Sequence, residues 1–338
     1  MIGKQSILFD NPVYIEQYAS VVGQKEGEGP LADGFDEIIE DPMLGMNSWE
    51  EAESKLQERA VSKLFEKTKV EKNDVRYIFA GDLLGQLIAT SYGLEKYQIP
   101  VFGLYGACST MGEALSLGAI TISGGFAGNV IALASSHFAS AEKQFRFPLE
   151  YGNQRPPSSS WTVTGCGAVM LSGTQSNIRI KGITTGNIVD YGVKDSMNMG
   201  ACMAPAAADL IAVNLSDFQL EPNYYDMIIT GDLGRVGRKI LLDLLKEKGY
   251  DISCNYTDCG IEMFDPNCQD TKAGGSGCGC SASALCAYIL KNINNGRWKR
   301  VLFIPTGSLQ STVSYNEGKS IPGIAHGVMI ERCDDGIY

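Results

Sequence analysis

Imidazole is nearly missing from this chain, with two histidines in 338 residues, and positive charge is the minority, 28 Lys and Arg against 39 Asp and Glu. The net charge of −11 excludes a nucleic-acid binder, which needs a basic face to release counterions from phosphates, and no Lys/Arg cluster of that kind is present. Paired cysteine spacing is missing too. Six of the ten cysteines fall between Cys254 and Cys286, separated by four, eight, nine, one and five residues, with no C-x-x-C pair and no histidine nearby. That spacing argues against zinc, an iron–sulfur cluster or any other resident metal. Met1-Ile2-Gly3-Lys4-Gln5 does not read as a leader, and the cysteines lack the dense pattern of a small secreted domain, so a reducing cytosolic compartment is expected. No Lys-Ser/Thr follows Gly274-Gly275-Ser276-Gly277, which removes a phosphate loop. Charge is also absent from Ala114 to Ala141, but Gly124-Gly125 and Gly128-Asn129 break that run. It reads as a buried helix, a turn and a buried strand rather than a membrane span.

What the chain does contain is a repeat. Phe79-Ala80-Gly81-Asp82-Leu83 returns as Ile229-Thr230-Gly231-Asp232-Leu233, and Gly106-Ala107-Cys108-Ser109 returns as Gly279-Cys280-Ser281-Ala282. Asn129 to Leu133 pairs with Arg300 to Ile304, and Gly167 to Leu171 with His326 to Ile330. Four matches in one order imply two copies of one fold, taken here as residues 1–175 and 176–338, with a ligand cleft between them. Ser48-Trp49-Glu50-Glu51 is a capping-box start for a helix, with Ala52, Leu56, Ala60 and Leu64 at helical spacing after it. Strands are predicted over 75–80, 101–104, 130–134, 227–230, 301–305 and 327–331. Helices are predicted over 85–97, 109–123, 203–213, 238–248 and 281–292. Strands bounded by helices on this scale mean an α/β fold with a buried, largely parallel sheet. The polar stretch Phe138 to Ser160 reads as one long functional loop.

Cys108 is the candidate reactive group. It follows a strand and opens a helix of small residues, Ser109 and Gly112 among them, so its sulfur is expected at the positive end of a helix dipole, where thiolate is favoured and oxyanions bind. Duplicated halves with a Cys at the first elbow and glycines at the second resemble the thiolase superfamily, including its ketoacyl synthase III branch. That resemblance implies duplicated βαβαβαββ halves in a five-layer αβαβα stack and a thioester formed on the cysteine. Family enzymes add His and Asn, or two His, to stabilise an enolate or move a proton. Here Gly231 and Cys278 stand where those helpers belong, and the C-terminal Ile321 to Gly327 loop lacks a second catalytic Cys. The remaining imidazoles, His137 and His326, are candidates to line one cavity with Cys108.

A closer similarity rests on Ala80 to Leu84, Gly106 to Thr110, Ser135-Ser136-His137, Ala141 to Arg146, Met203 to Asp209, Gly274 to Cys278 and Ile324 to Val328. These segments are similar to the stage V sporulation AD family of spore-forming bacteria, from end to end of the chain. The resemblance implies binding of dipicolinic acid for its uptake into the developing spore, as the calcium salt, and for its release at germination. It also implies membrane partners, the other stage V sporulation A proteins, and a peripheral position on the cytoplasmic side of the spore inner membrane. A flat pyridine with two carboxylates needs cations or N–H donors and an apolar slot. The α-helical end at Cys108, Lys143, Arg146 and His137 are candidates for the charge, His326 for the facing wall, and no cofactor is expected beyond calcium carried with the ligand. Asp82 is the odd member, an acid that would repel a dianion unless protonated, paired or holding calcium. Two other readings stay open: an acyl-CoA-dependent acyltransferase or condensing enzyme with Cys108 as nucleophile, and a purely structural subunit of a membrane complex; the superfamily resemblance also implies a homodimer.

Overall fold

The computed structural model describes residues 1–145 and 154–333. The first half contains the strands β1 (Ser6–Gly23), β2 (Glu37–Ile39), β3 (Val75–Gly81), β4 (Val101–Gly103), β5 (Asn129–Ser136), β6 (Trp161–Thr162) and β7 (Gly165–Ser172). Its helices are α1 (Gln24–Gly27), α2 (Trp49–Lys67), α3 (Ile88–Leu94), α4 (Thr110–Ser123) and α5 (Phe138–Phe145). The second half contains β8 (Ile178–Thr185), β9 (Met227–Thr230), β10 (Tyr256–Asp258), β11 (Gly275–Ser276), β12 (Arg300–Ile304), β13 (Thr306–Ser308) and β14 (Gly323–Arg332). Its helices are α6 (Met199–Phe218), α7 (Gly234–Glu247), α8 (Cys259–Met263), α9 (Cys278–Ala284), α10 (Leu290–Asn294) and α11 (Thr312–Asn316).

Strands run in the order β10-β9-β12-β14-β8-β1-β7-β5-β3-β4, so the two half-sheets meet where β1 pairs antiparallel with β8. In each half the strands at the outer end are parallel and the inner ones antiparallel. Helices α4 and α9 pack on strands and on each other between the half-sheets, α2 and α3 cover the first, and α6 and α7 cover the second. This is the α/β stack of five layers, αβαβα. Helix α6 is long and apolar enough to cross a membrane, but 67% of its apolar window is buried, where it packs on α7 and β14.

Local chemistry explains the elements. Ser48 caps α2 by accepting the Glu51 N–H at 3.2 Å, while the Glu51 carboxylate reaches back one residue farther than a standard box, to the Asn47 N–H at 3.0 Å. The expected single helix over 85–97 is broken instead. Gln86 and Leu87 adopt left-handed φ of 59° and 53°, and α3 begins only at Ile88. Buried Asp82 causes this, because it accepts the N–H groups of both Leu84 and Thr90, folding the intervening chain into a knuckle. The expected loop over 138–160 likewise opens with α5. Strand β1 was not predicted, although Val13-Tyr14-Ile15 and Val21-Val22 favour a strand: Asp10, Asn11 and Pro12 interrupt it, and its pairing with β8 skips from Leu8 to Val13, where no ladder N–H is demanded of proline.

The middle layer is packed backbone to backbone. A Cβ on Gly167 would lie 2.1 Å from the Ala282 carbonyl, and one on Gly279 would lie 2.3 Å from the Gly165 carbonyl. Glycine at these positions lets α9 rest directly on β7. Gly279→Ala is therefore expected to lower unfolding stability by about 2 kcal/mol, because neither backbone can retreat. Urea unfolding measures it, and an unchanged midpoint would contradict this packing.

Candidate functional site

The turn into α4 is strained. Ala107 adopts a left-handed φ of 51°, uncommon for a residue with a Cβ, and the turn is tied by Ser109 Oγ donating to Gly106 O and Thr110 Oγ1 to Ala107 O, both at 2.7 Å. That geometry presents Cys108 to a narrow pocket with a cavity volume of about 70 Å³. Leu83, Tyr105, Phe145, Met197 and Met199 form apolar wall, while Thr162, Ser276, Ser308 and Gln310 add polar groups. Glu142 is the carboxyl on the wall.

Behind Cys108 lies Asp232. Its carboxylate is 2% exposed and accepts the Gly277 N–H at 3.0 Å and the Thr306 hydroxyl at 2.9 Å, with the Cys108 thiol beside it. Burial pushes Asp232 up to about 7. Burial, then the Asp232 charge and Cys278, push the Cys108 thiol well above its ordinary value. The expected thiolate is thus overturned. The helix N-terminus favours the anion, but loss of solvent and an adjacent carboxyl outweigh it.

Among the described residues, no imidazole replaces the missing helpers. A Cβ at Gly231 would sit 3.0 Å from both Pro305 Cα and Thr306 N, so β13 occupies the space an imidazole would need. Cys278 donates its S–H to the Ser135 carbonyl at 2.8 Å, and burial pushes its thiol up as well. His137 is not on the pocket wall: its Nε2 bonds the Pro42 carbonyl at 2.9 Å, its Nδ1 accepts the Ala139 N–H at 3.2 Å, and its ring lies 5.5 Å from that of Trp49. His326 is off the wall too, buried at the start of β14, where desolvation pushes it down to about 4. The two imidazoles do not share a cavity with Cys108.

The other expected residues disperse. Asp82 is fully buried and accepts from Leu84, Thr90 N–H and Thr90 hydroxyl, at 2.8, 2.8 and 2.6 Å, which makes it a structural cap for α3. Lys143 points away, into a 2.8 Å ion pair with Glu50. Arg146 lies outside the described residues. Asp232 went unnoticed although the repeat itself pairs it with Asp82, and that alignment was the signal available. The wall from Ser196 to Met199 and from Ser308 to Gln310 carried no sequence signal. Among the described residues, no group of three or more His, Cys, Asp or Glu side chains is gathered for a metal ion.

Comparison with known proteins adds three findings. The sequence model of the family described as Stage V sporulation protein AD (SpoVAD) matches residues 3–331. The Stage V sporulation protein AD of Bacillus subtilis (strain 168) is 41% identical over 332 residues, covering 98% of each chain. Among solved structures, 3-oxoacyl-[acyl-carrier-protein] synthase III from Aquifex aeolicus VF5 superposes with a TM-score of 0.58 at 12% identity, over 94% of this chain and 99% of that one. Acat5 thiolase from Ascaris suum, solved with coenzyme A, also gives 0.58 at 12%, over 95% and 100%. At these identities the two structures report the shared thiolase fold.

Two outcomes follow from the buried acids. Burial raises Glu26 and Asp232 to about 7, Glu53 to about 8 and Asp258 to about 6, against an ordinary carboxylate value near 4 in the unfolded chain. The folded state then binds more protons than the unfolded one, so their stabilisation is full below about pH 4 and is lost as pH rises through 6 to 8. Buried His137 and His326 act in the opposite sense below about pH 6.5, so the comparison belongs above it. The urea midpoint should fall between about pH 6.5 and about pH 8.5; a rise would refute the assignment of these carboxyls. Asp232→Asn removes the charge next to the thiol, and alkylation of Cys108 at fixed alkaline pH should accelerate at least about threefold. Cys108→Ala in the same background identifies the signal, and a slower reaction would contradict the pairing.

Proposed function

Because this chain belongs to the stage V sporulation protein AD family, and is thus a sporulation protein on a thiolase-like fold, we propose that it binds dipicolinic acid non-catalytically in the pocket over Cys108. The observation that carries this reading is the state of the thiol. A condensing enzyme needs a thiolate and a base or donor beside it, whereas Cys108 is held by Asp232 in a site whose imidazoles both lie elsewhere.

The wall suits a flat aromatic acid. Tyr105, Phe145 and the two methionines supply an apolar slot, and the positive end of the 14-residue helix α4 lies beside it, although the Ser109 and Thr110 N–H groups are already bonded to Gly106 O and Ala107 O. Hydroxyls of Thr162, Ser276 and Ser308 supply further donors. With Lys143 committed to Glu50, the dianion is neutralised by these dipoles or by calcium travelling with it. In this reading calcium is cargo. Delivery into the spore and release at germination run through the membrane proteins of the same sporulation system, at the cytoplasmic face of the inner membrane. A second copy is accommodated at the open edge of β4, where Val101 and Phe102 are 43% and 50% exposed.

Titration calorimetry with dipicolinate, with and without calcium, tests the proposal. Saturable binding is expected, together with an unmodified intact mass after incubation with an acyl-coenzyme A. A thioester on Cys108, or no heat of binding under either condition, would overturn it.

A further inference from the structure

Buried polar atoms without a partner point to what a site is waiting for. Those among the described side chains belong to residues scattered over the molecule, including Gln57, Glu113 and His326, and the one on the pocket wall is Ser308 Oγ. Ser308 is 5% exposed. The Cys202 sulfur beside it is a weak acceptor, and the Cys202 S–H is turned to the Asn198 carbonyl at 3.5 Å. Gln310, its neighbour on the wall, already donates to the Ser196 carbonyl at 3.3 Å.

The backbone fixes where this hydroxyl stands relative to Cys108. A Cβ on Gly307 would lie 2.3 Å from the Gly106 carbonyl and 3.2 Å from the Ser109 nitrogen, so β13 is pressed on the α4 elbow without an intervening side chain. One residue on, Ser308 pairs with Gly323 of β14. The hydroxyl is therefore held by two neighbouring elements and does not need to be ordered when a ligand arrives, which lowers the entropic cost of using it.

We propose that Ser308 makes the pocket selective for a diacid over a monoacid, its hydroxyl donating to one of the two carboxylates. This rests on the reading of the pocket as a dicarboxylate site. A hydrogen bond to a charged group in a buried place is among the stronger ones, and it replaces only the weak contact of this hydroxyl with the Cys202 sulfur.

Two probes separate the possibilities, pyridine-2,6-dicarboxylate and pyridine-2-carboxylate. Ser308→Ala should weaken the diacid by about tenfold and the monoacid by less than about twofold. Ser308→Thr, which keeps the hydroxyl, should retain the preference, and matching thermal unfolding curves exclude a folding defect. Equal losses for both ligands, or none for either, would overturn the role of Ser308 while leaving the pocket reading intact. Failure of the unsubstituted protein to bind either ligand would remove the pocket reading and this inference together.

Discussion

Asp232 is a carboxyl sealed in the interior with no cation beside it among the described residues, and the centre of the molecule is arranged around satisfying it. Its surroundings come from three places in the chain: the loop before α9, which donates the Gly277 N–H, β13, which donates the Thr306 hydroxyl, and the α4 elbow, whose Cys108 thiol lies beside it. A buried acid left without donors costs several kcal/mol, so these three elements are held to one another by a shared obligation. The same obligation sets the chemistry. A thiol buried beside a carboxyl gives its proton up reluctantly.

Duplication made this possible because the two copies divided the work differently. In the first half, Asp82 caps its own helix, accepting from Leu84 and Thr90. In the second half the corresponding cap belongs to Asp258, which accepts the Leu233 and Gly234 N–H groups at 2.8 and 3.0 Å. Asp232, equivalent to Asp82 in the repeat, is thereby released from capping and turned toward Cys108.

The remaining wall of the pocket is positioned from outside. Helix α5 brings Ala141, Glu142 and Phe145 to the pocket while its opposite side is fastened to α2: Ser140 donates to Glu53 at 2.6 Å and Lys143 to Glu50 at 2.8 Å. Gln144 accepts the Gly85 N–H at 3.0 Å and ties the same helix to the knuckle above Asp82. A lysine that looks like a ligand cation in sequence is, in space, the outer fastening of a wall.

While the resemblance to the thiolase superfamily was needed to see Gly231 and Cys278 where helper groups belong, composition, the repeat and the short apolar runs were enough to indicate an α/β fold and the elbow at Cys108. These are properties of residue identity and local order, and sequence states them directly. Strand β1 was missed because its pairing tolerates Pro12 and polar residues through irregular register, and α3 was misjudged because the break is imposed by Asp82 from outside the helix. Which charges face the pocket was decided only by tertiary structure. His137, Lys143 and Asp82 each found a partner within the fold that sequence distance conceals, while Asp232 and Ser308 reached the site because β9, β13 and the α4 elbow converge there. A side chain's type is written in the chain, but its partner, and with it its protonation and availability, depends on what folding places within about 3 Å of it.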